Sequence, residues 1–133
     1  MRTRIAIVSF LLFSVTLTGA QDKADKKALT HEAMQGAWEL KSEDGARRIK
    51  FIGGGQWTVT QYAPETGAVE FHHGGTYTLD GSTYTETVVF ANDNTADMKG
   101  DSNKFEVTIE GSIIHQRGIG NPWNEDWIRI KPQ

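Results

Sequence analysis

Apolar and polar residues alternate along most of this chain with a period of two, which is the pattern of strands that turn one face to a core. The alternation places Trp38 and Leu40 inward on a strand over 37–41, Ile49 and Phe51 inward over 47–52, and Trp57, Val59 and Gln61 on one face of 56–63. Phe105, Val107 and Ile109 align over 104–110, and further strands are expected over 112–117 and 126–131. The one helical signal is short: Thr30 can cap a turn through His31, Glu32, Ala33 and Met34 that stops at Gly36.

Two turns set the register in the middle of the chain. Asp80-Gly81, between runs rich in Thr, Tyr and Val, reads as a two-residue type I′ hairpin. It pairs Leu79 with Ser82, Tyr77 with Tyr84, Gly75 with Glu86, His73 with Val88 and Phe71 with Phe90, and leaves Thr76, Thr78, Thr83, Thr85 and Thr87 on the wet face. Pro64-Glu65-Thr66-Gly67 reads as a type I turn ending in a left-handed glycine. It pairs Gln61 with Phe71, Val59 with His73 and Trp57 with Gly75, giving the same inward parity. Gly75 then leaves a gap between Trp57 and Glu86, room for a ligand atom or for Glu86 itself.

About eight short strands without a repeat or a long amphipathic helix indicate an antiparallel meander, which avoids sticky edges best by closing into an up-and-down barrel. A flattened sandwich is the structural alternative. The Asn/Asp-rich stretch 91–102 is long for a hairpin and is a candidate rim or lid, and 118–125, with Pro122-Trp123, is a second irregular loop. For 112–117 the pattern leaves two registers open: a two-residue turn puts Ile114 and Gln116 inside, a three-residue turn Ile113 and His115.

The N-terminus changes the picture. Arg2 and Arg4, an apolar run from Ile5 to Leu17 and the small residues up to Ala20 form a secretory signal peptide over 1–20, too short in its apolar run for a comfortable membrane span. A flexible tail over 21–28 and one barrel domain over 29–133 follow, in the periplasm or outside the cell. Removing Arg2 and Arg4 takes the basic count from 14 to 12 against 17 acidic residues, a net charge of about −5. That balance, without a basic run, argues against nucleic acid or an anionic membrane as partner. Having no cysteine, the chain can form no disulfide, lipid-bearing cysteine or thiolate metal site.

The face that holds Trp57, Gln61, His73, Tyr77, Tyr84 and Glu86 is apolar and aromatic with a carboxylate and an imidazole, the lining of a small ligand site. A carboxylate inside a barrel must be answered. Either it meets a ligand, or acts as a base with His73 or a tyrosine as acid, or it is an internal strut bonded to Tyr77, threonines or Arg129. His72 should face solvent, so a His72-His73 metal site is not expected. Gly53-Gly54-Gly55 lacks the lysine and helix of a phosphate loop. No Gly-x-Ser-x-Gly nucleophile motif is present.

Gly36-Ala37-Trp38 after a helical turn resembles the opening of lipocalins, in which an arginine from the last strand packs over the tryptophan; Arg129 in Trp127-Ile128-Arg129-Ile130 stands where that partner belongs. Met34 to Leu40, the hairpin from Gly74 to Glu86 and the ending Glu125 to Ile130 together resemble a small lipocalin-like domain of exported bacterial proteins, many uncharacterised. The resemblance implies an eight-stranded barrel, export, and binding of a small lipophilic molecule, with Trp38 and Arg129 structural.

Three functions follow as expectations. A non-catalytic barrel binding a mostly apolar ligand, with one polar group at Glu86, requires a cavity of roughly 300 Å³ or more that reaches that residue. An isomerase, cyclase or hydrolase would use Glu86 with His73 or Tyr84. A solid barrel would instead present its loops 92–102 and 118–125, with Trp123, to a protein partner. No cofactor or metal is called for.

Overall fold

The computed structural model describes residues 29–41 and 43–133, so the signal peptide read at 1–20 and the tail read at 21–28 lie outside the described residues. A helical turn α1 (His31–Met34) leads into β1 (Gly36–Lys41), β2 (Arg47–Gly53), β3 (Gln56–Tyr62), β4 (Val69–Asp80) and β5 (Thr83–Ala91). A 3-10 segment (Asp93–Met98) then precedes β6 (Ser102–Glu110), β7 (Ile113–Ile119) and β8 (Asn124–Arg129). Each strand pairs antiparallel with its neighbour in sequence, and β8 pairs with β1 through Trp38 opposite Arg129, closing an eight-stranded up-and-down barrel. Closure leaves no unpaired edge. The all-β barrel with a short N-terminal helical turn, expected from the alternation, is therefore the architecture observed.

Turn chemistry explains the register. Gly54-Gly55, both at positive φ, form the two-residue turn between β2 and β3, so Gly53 faces Gln56 and Ile52 faces Trp57. That parity corrects one expectation: Ile49 and Phe51 do not point inward. Phe51 is 55% exposed, while Lys50 and Ile52 are buried. The apolar count on β2 misled because the inward cations Arg48 and Lys50 find partners inside the barrel.

Between β3 and β4 the pairs Trp57–Gly75, Val59–His73 and Gln61–Phe71 form as read, with Gly67 left-handed at the turn. The next hairpin is shifted by two residues: its turn is Gly81-Ser82, not Asp80-Gly81. Only Gly81 there has positive φ, as a turn with glycine at the first central position requires, so Tyr77 faces Glu86 and Leu79 faces Tyr84. A shift of two keeps every side chain on its face. Farther along, Gly75 faces Val88 but Gly74 faces Phe90, and the extra residue, Val89, turns Phe90 outward over His72. Phe90 thus leaves the inward row in which it was expected with Phe71. Nor does Gly75 leave a gap: a Cβ there would strike the Thr87 carbonyl oxygen and come within 2.7 Å of the Val89 nitrogen. The glycine lets two backbones meet at the bulge.

The barrel has one filled end and one open end. At the filled end Thr30 accepts a hydrogen bond from the Ala33 N–H, and Trp38 Nε1 donates to the Met34 carbonyl at 2.9 Å. The Arg129 guanidinium lies 4.0 Å from the Trp38 ring and donates to the carbonyls of Gln35 and Ala33. Met34, Trp38, Ile52, Tyr77, Tyr84 and Ile114 fill this half. Met98 packs on the core from the 3-10 segment, which is pinned to β4 by Asn92 bonding the His72 backbone and Asn94 bonding the Glu70 carbonyl. The stretch read as a rim or lid is thus packed on the core and bonded to β4.

Candidate functional site

At the loop end the filling stops and a cavity of about 230 Å³ remains. Its walls are aromatic, with Trp57 from β3, Phe71 from β4, Phe105 from β6 and Trp127 from β8; Thr95, Met98 and Trp123 stand at its mouth. The polar groups in it are Arg48, Lys50, His73, Glu86, Asn103, Gln116 and Glu125.

Most of these are tied to one another. Lys50 Nζ donates to Glu86 Oε1 at 2.7 Å and to Gln116 Oε1 at 3.2 Å, with Lys50 and Glu86 only 3% and 5% exposed. The same ammonium lies 4.5 Å from the centre of the Trp127 ring, where the electron-rich face of the indole adds to its stabilisation. Gln116 Nε2 donates to Glu125 Oε2, which also accepts from Trp127 Nε1. Arg48 reaches Glu125 Oε1 at 3.4 Å, lies over the Phe71 ring, and donates from Nε to Gln61 Oε1 at 2.8 Å; Gln61 in turn donates to Glu70. A continuous polar string thus crosses the lumen, where the cations Lys50 and Arg48 are matched by Glu86 and Glu125, and it ends outside on the exposed Glu70.

His73 stands apart. Its ring stacks on Phe71 at 5.4 Å and meets Trp57 edge-on at 5.7 Å, it is 8% exposed, and its Nδ1 is buried without a hydrogen-bond partner. Burial first, and then the positive charges of Lys50 and Arg48, lower its pKa to about 4, so the ring is neutral at pH 7. Tyr84 is fully buried below the cavity, its hydroxyl without a partner of ordinary geometry; burial and the Glu86 carboxylate push its pKa well up.

Of the residues read from the sequence, Trp57, His73 and Glu86 line the cavity together. Gln61 sits at the rim and steadies Arg48, while Tyr77 and Tyr84 point inward but belong to the packed half, Tyr77 bonding His31 Nδ1 at 3.0 Å. Glu86 is answered by Lys50, not by Tyr77, a threonine or Arg129. The open choice on β7 resolves to the two-residue turn: Glu110 faces Ile113, and Ile114 and Gln116 are buried. Lys50, Arg48, Glu125 and Trp127 were missed as site residues. One signal pointed to the first two, since a tight Gly54-Gly55 turn with Trp57 inward forces Ile52, Lys50 and Arg48 inward as well.

Among the described residues no cluster of metal-ligating side chains occurs, and no helix is long and apolar enough to cross a membrane. No protein-family model matches the chain, and no curated protein matches it. The class is therefore defined by architecture: a closed eight-stranded up-and-down barrel with an aromatic cavity at its loop end, consistent with a lipocalin-like barrel.

Proposed function

We propose that the protein is an exported, non-catalytic barrel that holds one small, mostly apolar molecule in its loop-end cavity. The observation that supports this most is the cavity itself, since barrels of this size otherwise fill their interiors with side chains. At about 230 Å³ it is smaller than the roughly 300 Å³ expected from the sequence, so the reading is narrowed to a compact molecule and no longer extends to a long lipid. The polar group of the ligand does not need Glu86, whose charge is met by Lys50 at 2.7 Å. That pairing also gives no support to Glu86 as a catalytic base, and a cavity at the loop end disfavours a solid interaction module. Export, to the periplasm or beyond, rests on the N-terminal pattern of Arg2, Arg4 and the apolar run from Ile5 to Leu17.

Native mass spectrometry of protein purified from its own host tests the reading. A stoichiometric adduct of small mass that is displaced on unfolding is expected. Protein that carries no adduct and binds no small aromatic compound in titration would overturn it.

A further inference from the structure

Resting on the ligand-binding reading, a sharper statement follows from which polar groups in the cavity are already committed. Arg48 is held by Glu125 and Gln61, and Lys50 by Glu86 and Gln116, so the charges of the lumen are matched internally. A charged ligand would have to break one of these pairs or enter a low-dielectric space unpaired, and either course is costly. Two polar side chains that line the cavity remain uncommitted: the His73 imidazole, more than nine-tenths buried and with its Nδ1 unpartnered, and the Asn103 carboxamide. Nδ1 itself is sealed off, so a ligand group would bond the edge of the imidazole that lines the cavity and give this ring a hydrogen bond it otherwise lacks. Around it the lining is aromatic, from Trp57, Phe71, Phe105 and Trp127, and although Arg48 and Lys50 already lie over the Phe71 and Trp127 rings, such a lining favours a flat, apolar body.

We infer that the cavity selects an uncharged ring compound carrying a hydrogen-bonding substituent, and that His73 is the specificity-determining residue that meets the substituent. Anionic amphiphiles such as carboxylates are discriminated against despite the two cations in the lumen. The imidazole stays neutral at pH 7, which keeps it able to accept or donate a single hydrogen bond according to its tautomer.

Three probes of matched skeleton, 1-naphthol, naphthalene and 1-naphthoate, titrated calorimetrically at pH 7 against the wild-type protein and His73→Phe, test this. In the wild type 1-naphthol is expected to bind at least tenfold more tightly than 1-naphthoate. In His73→Phe, which keeps the aromatic stack, 1-naphthol should weaken about tenfold while naphthalene stays within twofold. Naphthoate binding as tightly as naphthol overturns the inference on the wild type alone, whether or not the variant folds. A folded His73→Phe that binds naphthol unchanged overturns it too. If none of the three probes binds, the ligand-binding reading fails first and this inference with it, whereas binding with the wrong preference defeats only this inference.

Discussion

Lys50 and Glu86, 36 residues apart in sequence, meet at 2.7 Å inside the barrel, each almost wholly shielded from water. Neither charge is tolerable there alone. Desolvating an ion costs several kcal/mol, and only the partner, together with Gln116 and the Trp127 ring, offsets that cost. Lys50→Met should therefore destabilise the fold by about 3 to 5 kcal/mol by leaving Glu86 unpaired. Combining it with Glu86→Leu should recover most of the loss. Urea denaturation of the single and double variants measures the coupling; additive losses would mean that the pair does not act as a unit.

The bulge at Gly75 gives a second expectation. A methyl group there collides with the Thr87 carbonyl oxygen and crowds the Val89 nitrogen, both backbone atoms that cannot swing away. Gly75→Ala should cost about 2 kcal/mol or more, since the β4–β5 ladder would have to part. Gly53 is the control: its φ is ordinary and nothing lies within 4 Å of an added Cβ, so Gly53→Ala should change stability by less than about 0.5 kcal/mol. Thermal denaturation of the two variants side by side decides it.

At the filled end, Arg129 joins the last strand to the first and to the helical turn. Its guanidinium donates at 2.7 and 2.9 Å to the Gln35 and Ala33 carbonyls while lying over Trp38, a set of contacts that a planar fork can make and a lysine cannot. Arg129→Lys should lose about 1 to 3 kcal/mol, and the near-ultraviolet circular dichroism of Trp38 should weaken with it. A variant as stable as the wild type would show that closure depends on the β1–β8 ladder alone.

These cases also show where the sequence was informative. The β3–β4 register was legible because Pro64 to Gly67 specifies its turn and Trp57, Val59 and Phe71 mark the inward face, with Gln61 and His73 carried along by parity. The β4–β5 faces were legible while the pairing was not: one glycine at position 81 suits either of two turns, and moving the turn by one residue shifts the pairing by two without changing sides. What stayed hidden was β2. A strand whose inward residues are Arg48, Lys50 and Ile52 reads as the reverse of its true orientation, because hydrophobic counting cannot see carboxylates and amides waiting on β5, β7 and β8. The site was therefore half visible, in Trp57, His73 and Glu86, and its charge balance was not.

His73 carries the last expectation, a dependence of stability on pH. In the unfolded chain its imidazole takes up a proton near its ordinary value of 6.5, whereas in the fold it resists until about 4. Between those values the unfolded state binds more protons, so stability falls as the pH falls from 6.5 toward 4 and the loss from this group stops growing below that. The full shift would correspond to about 3 kcal/mol. Relaxation of the surroundings about a charged ring brings the expected loss down to about 1 to 2 kcal/mol. His73→Phe removes the proton site and keeps the stack on Phe71, so its stability should change less between pH 7 and pH 4.5 than that of the wild type by that amount. Guanidinium denaturation at the two pH values gives the difference directly; parallel losses in both proteins would mean that His73 is protonated as readily in the fold as out of it.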